Sequence, residues 1–388
     1  MSSTTAQQAV DLVRAVQGAL TRGDGRTALR LAQEAEAALP RDADIKLQKA
    51  LAQRVLGDLA GAIATIDDAL AIEPYHFVAL LSKASLVERL SGERAAAVHY
   101  RNALAAAPHD LPGPLQAPAE HGRQVIQRTD AALEAHLRAR TAEVQADCTA
   151  QGRKRFEESV GIFSGRAPAY VQQPLYLHYP RLPAIPFYER EQFPWLAELE
   201  AATDTIRGEL DGALAQAGDD FAPYIQYPKG APVNQWGELN HNRRWSSFFL
   251  WRDGERQGQA CALCPKTAAL LESLPMADQP GFAPTAMFSA LDAKTHIPPH
   301  TGSTNVRLLC HLPLILPGPA RFRVGGETRE WKMGEAWVFD DTIEHEAWND
   351  ADQLRVILIF DVWNPLLDEG ERALVTAMLA AKKEFFGG

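Results

Sequence analysis

VRLLCHLPLIL (306–316) reads as a β-strand in which alternate side chains face opposite ways. Arg307, Leu309 and His311 share one face. LRVILIFDVW (354–363) repeats the pattern, with Arg355, Ile357 and Ile359 on one face. A cation in the middle of an apolar strand requires a buried anion, because an unpaired buried charge is costly. Working outward, WSSFFLWRDG (245–254), TAMFSALDA (285–293), ARFRVGG (320–326) and AWVFDD (336–341) are further short runs bounded by Gly, Pro or Asp. Many short strands without intervening helices, from about Asn242 onward, predict a β-sandwich or jelly roll.

Upstream the texture changes. Pro168, Pro174, Pro180, Pro183 and Pro186 lie among aromatics and predict an extended linker or an arm laid over the next domain. A helix is expected near 194–218. The first hundred residues carry an internal period instead. Pro40, Pro74 and Pro108 are 34 residues apart, as are Ala28, Ala62 and Ala96, and Ala35, Ala69 and Ala103. Gly23 and Gly57 fall on the same period, and Gly92 lies one residue late. This pattern over about 9–110 resembles the tetratricopeptide repeat, although the first helices lack that family's usual aromatic positions. The resemblance implies paired antiparallel helices, with alanines at close helix contacts and proline ending each second helix. Three repeats are near the minimum for a solenoid, so a capping helix is expected, and 119–148 reads as one. The expected organisation is repeats over 1–112, a capping or linker helix over 113–165, and the β domain over 166–388. The repeats could offer a groove to a peptide or protein partner, or serve as a spacer or oligomerisation module.

Bulk properties narrow the class. The chain has 388 residues, 46% hydrophobic and 23% charged, and suits two or three soluble domains. Its formal net charge of −10 argues against nucleic acid or a basic membrane-binding face. No membrane span and no secretory signal are expected, and the expected compartment is the cytoplasm. Cys261 and Cys264 form a lone CxxC, read as helix-start residues rather than a redox or zinc site.

Chemistry concentrates near the C-terminus. His300 sits in PPHTGSTN (298–305), in a loop entering the strand at Val306. His345 sits in FDDTIEHEAWND (339–350), and Arg355 follows ten residues later. Imidazoles to hold Fe(II), open positions for oxygen and a chelating acid, and a buried cation for the acid's far end together fit a mononuclear iron site with a 2-oxoglutarate pocket. His296 and His300 have the spacing of a metalloprotease helix, but Pro298 and Pro299 between them forbid that helix.

PPHTGSTNVRLLCHLPL (298–314), WKMGEAWVFDDTIEHEAWN (331–349) and RVILIFDVWNP (355–365) together resemble the aspartyl/asparaginyl β-hydroxylase family, over about 170–370 and most densely over 285–365. The resemblance implies a double-stranded β-helix enzyme that uses Fe(II), 2-oxoglutarate and O2 to hydroxylate the β-carbon of an Asp or Asn residue. It implies His300 and His345 as iron ligands and Arg355 as the partner of the distal carboxylate. Ser289 would share that carboxylate, His311 would lie near the chelating end, Trp245 would wall the pocket, and Arg307 would line the substrate side. The family lacks the usual acid two residues after the first histidine, and this chain has Gly302 there. Asp340, Asp341, Glu344 and Glu346 are nearby acids, read as turn caps or supports rather than a third ligand. Leu309 replaces a second arginine of the family's animal members, which puts the substrate in doubt. Soluble family members act on small molecules, lipids or carrier-bound amino acids, so a metabolic substrate is the alternative. His311 could instead be an ordinary core histidine, and Arg355 could pair with Asp361. His178, His241 and His296 are given no role. Two other classes stay open: an inactive repeat scaffold, and a cupin-like metal enzyme without 2-oxoglutarate.

Overall fold

The computed structural model describes residues 3–386. The chain divides into two compact units between Ala167 and Pro168.

The first unit is helical. Helices α1 (Ser3–Thr21) and α2 (Gly25–Ala38) pair, as do α3 (Ala43–Val55) with α4 (Leu59–Ile72), and α5 (Phe77–Ser91) with α6 (Glu93–Ala105). The 34-residue period is the repeat of these pairs. Ala28, Ala62, Ala96, Ala35, Ala69 and Ala103 are all 0% exposed, so each marks a helix contact with no room for a larger side chain. Gly23, Gly57 and Gly92 turn the chain within each pair at φ of 75°, 84° and 85°, a region costly for residues with a Cβ. Asp24 and Asp58 then cap the second helices of the first two pairs by accepting from backbone N–H groups three residues on. The helix expected over 119–148 is α7 (Gly113–Gln145), and the capping or linker helix expected over 113–165 is two, because α8 (Ala150–Phe163) follows it. The break falls where Thr149 accepts a hydrogen bond from the Gly152 N–H at 3.0 Å and starts a new helix.

The second unit is mainly β. It opens with the proline-rich arm, then α9 (Leu196–Ala201) and α10 (Thr203–Ala217). Strands β1 (Ala222–Pro223), β2 (Trp245–Arg252) and β3 (Glu255–Arg256) lead to α11 (Gly258–Leu263) and α12 (Pro265–Ser273). Next come β4 (Ala286–Leu291), β5 (Thr295–His300), β6 (Arg307–Ile315), β7 (Ala320–Val324) and β8 (Glu327–Glu330). The series closes with β9 (Trp337–Phe339), β10 (His345–Asn349), β11 (Arg355–Trp363) and α13 (Glu369–Phe385). The larger sheet runs β1-β2-β4-β11-β6-β9 with β3 on β2, and the smaller runs β5-β10-β7-β8. Every pairing within these sheets is antiparallel, the arrangement of a double-stranded β-helix.

The larger sheet is buried on both faces. Val356, Leu358 and Phe360 of β11 join Ile206, Leu210 and Leu271 of the helices in one apolar core. Ile357 and Ile359, on the opposite face, join Phe322, Trp331 and Phe339 in a second core between the sheets. The period-2 alternation therefore decides which residues can reach the interior of the barrel. The arm lies on this unit: Gln172 bridges Ile343, Leu177 bridges Thr304 and Phe187 bridges Phe339. Two strands differ from expectation. His300 ends strand β5 rather than lying in a loop, and His345 begins β10. Strand β5 tolerates Pro298 and Pro299 because it is an edge strand, where missing N–H groups break no ladder.

Candidate active site

His345 of β10 stands directly opposite His300 of β5 in the ladder, and the ring centroids are 4.0 Å apart. Each ring is fixed in the same way. His300 Nδ1 lies 2.8 Å from the carbonyl of Pro298, and His345 Nδ1 lies 3.0 Å from that of Ile343. A proton on each Nδ1 leaves both Nε2 lone pairs free as metal donors. Burial pushes His300 down to about 4 and His345 well below the ordinary imidazole range, so both rings are neutral at pH 7. Two neutral, pre-oriented imidazoles suit a divalent metal ion.

These histidines line a cavity of about 300 Å³ between the sheets, and Trp245, Ser289, Arg307, His311 and Arg355 line it too. All seven residues singled out in the sequence therefore converge. Arg355 is 1% exposed, and its Nε and Nη1 have no hydrogen-bond partner among the described residues. Burial pushes the guanidinium down to about 9. Its Cζ lies 4.5 Å over the Trp331 ring, a favourable contact that brings no counter-charge. The suggested pairing with Asp361 is not formed. Asp361 instead accepts from Arg307 at 2.9 Å and from the Thr285 N–H at 2.7 Å. Trp245 Nε1 donates to Ser289 Oγ at 3.1 Å and so orients that hydroxyl at the cavity wall. His311 is buried, pushed well down by burial and by Arg355, and its Nδ1 has no partner. The cavity thus offers two lone pairs at one end and unpartnered donors at the other. That donor set fits a metal ion and a dicarboxylate.

The four nearby acids separate. Asp340 accepts from Thr342 and Gln172, Glu344 from Arg323, and Glu346 from Arg323 and His296. Asp341 differs. Its backbone carbonyl accepts from the Gly302 N–H at 2.6 Å, and a Cβ placed on Gly302 would overlap its carboxylate. The space open to a side chain at the position of the usual acid is therefore filled by a carboxylate from another loop. Asp341 lines the cavity, its Oδ1 has no partner, and burial pushes its carboxyl up to about 8. Among the described residues no group of three or more His, Cys, Asp and Glu converges as a metal site, so Asp341 stands beside the imidazole pair rather than completing it. Sequence reading missed this placement, and it also missed Trp331 and the aromatic wall of Trp236, whose ring centroid lies 5.0 Å from that of His300. The glycine at position 302, two residues after His300, was the local hint.

Cys261 and Cys264 are free thiols, Cys261 within α11 and Cys264 at the N-cap of α12. No helix among the described residues is long and apolar enough to cross a membrane.

Residues 200–365 match the family model described as Aspartyl/Asparaginyl beta-hydroxylase. The chain is 34% identical over 187 residues to human "Aspartyl/asparaginyl beta-hydroxylase", covering 48% of this chain and 24% of that protein. It is 36% identical over 195 residues to "Ornithine lipid ester-linked acyl 2-hydroxylase" of Rhizobium tropici, covering 50% of this chain and 65% of that protein. The chain thus spans about a quarter of the first relative and under two thirds of the second. Among solved structures it is similar to the TPR2B domain of yeast Sti1, at 19% identity and a TM-score of 0.29 over 32% of this chain and 98% of that one. The family match falls wholly within the second unit, whose residues 200–365 are similar to the aspartyl/asparaginyl β-hydroxylase family.

Proposed function

We propose that this protein is an Fe(II)- and 2-oxoglutarate-dependent dioxygenase that hydroxylates an unactivated carbon. One observation carries the reading: a buried guanidinium without a counter-ion shares a cavity with two neutral imidazoles whose Nε2 atoms are free. A buried cation without a partner is stable only if a guest supplies the anion. The distal carboxylate of 2-oxoglutarate would be that guest, held by Arg355 and the Ser289 hydroxyl, with His311 toward the chelating end. His300 and His345 would hold iron(II). When bound, the metal supplies the coupling of 2-oxoglutarate and O2 to C–H hydroxylation, giving succinate, carbon dioxide and the alcohol.

The chain's own residues do the rest. The Nδ1–H bonds to Pro298 and Ile343 keep both imidazoles in the donor tautomer. Trp236, Trp245 and Phe322 exclude water around them. Asp341, next to Gly302, would hydrogen-bond to water in the place that lacks a protein ligand.

The acceptor would be the β-carbon of an Asp or Asn residue in a peptide or protein, with the helical repeats as a recruiting surface. Arg307 bears on the choice. It is tied to Asp361 and to the carbonyl of Phe282, and its guanidinium lies 5.0 Å over the Phe282 ring. With Arg307 engaged and Leu309 beside it, the substrate half of the cavity has no free cation among the described residues, which favours an uncharged group such as asparagine. The same feature favours the second reading, an acyl or other small-molecule substrate. The reading places the reaction in the cytoplasm.

The test is succinate formation from 2-oxoglutarate by the full chain with Fe(II), ascorbate and O2, with His345→Ala as control. Anaerobic titration for the Fe(II)–2-oxoglutarate charge-transfer band should accompany it. Succinate lost in the variant supports the dioxygenase. A band without succinate points to tight coupling and an absent substrate. Failure of both would return the weight to an inactive scaffold or a metal enzyme without 2-oxoglutarate.

A further inference from the structure

The cavity wall holds one more unpartnered donor. Trp331 is 4% exposed and lines the cavity, yet its Nε1 has no acceptor among the described residues. Trp331 follows β8, and its backbone N–H is tied to the Ala320 carbonyl at 3.1 Å. Its ring is clamped by Phe322 at 5.4 Å and Trp337 at 5.7 Å, both stacked. The guanidinium of Arg355 covers one face at 4.5 Å, and His311 lies 6.1 Å away. The indole therefore cannot turn to find an acceptor elsewhere. Buried indole N–H groups are normally hydrogen-bonded, because an orphaned donor loses its water without compensation.

Two polar groups beside this ring that also line the cavity have the same deficit. Arg355 Nε and Nη1 and His311 Nδ1 also lack partners. One guest with several acceptor lone pairs, as a carboxylate has, would answer the three donor vacancies on Trp331 and Arg355. Resting on the 2-oxoglutarate reading above, we propose that Trp331 is a cosubstrate-positioning residue, whose Nε1–H donates to the dicarboxylate that Arg355 holds. The stack of Trp331 beneath Arg355 does not need the N–H, since any six-membered aromatic ring of similar size would supply it. The two roles are therefore separable by experiment.

Trp337 is a built-in control. Its Nε1 is also unpartnered, but the residue faces a different depression and does not line the cavity. The experiment is calorimetric titration of 2-oxoglutarate into the full chain loaded with Mn(II), which binds without turnover. Wild type, Trp331→Phe, Trp337→Phe and Arg355→Met are compared, and Mn(II) affinity is measured separately. Trp331→Phe should weaken 2-oxoglutarate by about ten- to a hundred-fold, as expected for one hydrogen bond to a charged group. Its Mn(II) affinity should not change, and Trp337→Phe should match wild type. Equal affinity of Trp331→Phe and wild type would overturn the proposal while leaving the dioxygenase reading intact. If wild type itself takes up no 2-oxoglutarate, the dioxygenase reading falls, and this inference with it. Should Trp331→Phe fold poorly, the indole ¹⁵N–¹H signal of Trp331 in wild type gives the same answer. With Zn(II) bound and the signal assigned through contacts to Phe322, it should move downfield on adding 2-oxoglutarate. An unmoved signal in a saturated sample would overturn the proposal.

Discussion

Gly302→Ala tests how the site manages without the usual acid. A methyl group there would overlap the Asp341 carboxylate. The backbone of Asp341 cannot retreat, because its carbonyl is bound to the Gly302 N–H at 2.6 Å. Only the side-chain torsions can yield, swinging the carboxylate into the cavity. No positive φ is involved, so the effect is one of space alone. An off-rotamer side chain plus local overpacking costs about 1–2 kcal/mol. Asp341→Gly removes the obstacle, so the double variant should recover most of the loss. A double-mutant cycle should then give a coupling of about 1 kcal/mol or more. All eight tryptophans lie at or after Trp195, so indole emission during urea unfolding of the full chain reports the second unit alone. Additive variants, with coupling below about 0.3 kcal/mol, would refute the claim that Asp341 fills this space. Mn(II) affinity of the same set gives a second readout, and Gly302→Ala should weaken it if the displaced carboxylate disturbs the histidine pair.

Arg355→Met should abolish 2-oxoglutarate binding and yet raise the melting temperature of the ligand-free protein, because a buried cation without a partner is replaced by an apolar chain of similar length; a lower melting temperature would show a hidden counter-ion. Glu200 carries the pH prediction. Burial raises its carboxyl, but the Arg190 fork and the Ala336 N–H outweigh burial and hold it below the usual range. A depressed carboxylate stabilises the fold above its unfolded value near 4.5, and that stability is lost as pH falls through the folded value. Glu200→Gln should therefore cost about 1 kcal/mol at pH 7, discounted for partial exposure, and the gap to wild type should close on acidification below about pH 4 in urea titrations. In the first unit, a Cβ on Gly122 would lie 2.6 Å from Tyr100 Cδ1. Gly122→Ala should destabilise the α6–α7 contact by about 1–3 kcal/mol despite its better helix propensity, as read by far-ultraviolet circular dichroism.

The repeats were legible because close helix contacts demand alanine at fixed intervals, and Ala28, Ala62 and Ala96 repeat that demand. The barrel interior was legible from strand alternation, which put Arg307, Leu309 and His311 on the cavity face, and Arg355, Ile357 and Ile359 likewise. What escaped were contacts between segments far apart in sequence. Asp341 meets Gly302 across two loops, and nothing in FDD says which acid turns inward. Trp331 looks like any buried tryptophan until Arg355 is seen above it. Strand β5 escaped because two consecutive prolines argue against pairing, and only its edge position removes the objection. The break between α7 and α8 escaped because the helical pattern on both sides is continuous, while the new start depends on the single hydroxyl of Thr149.

The cross-strand placement of His300 and His345 has a consequence for divergence. Their spacing is set by the register of β5 against β10, and Arg355 is fixed by β11 between β4 and β6. The reactive groups are thus dimensioned by ladder geometry and not by any loop. The segments that roof the cavity, around Leu175, Tyr227 and Trp236, carry no part of that dimension. They can exchange residues, lengthen or shorten, and so change what is admitted while the machinery beneath keeps its measurements. A fold built this way separates the choice of substrate from the ability to react.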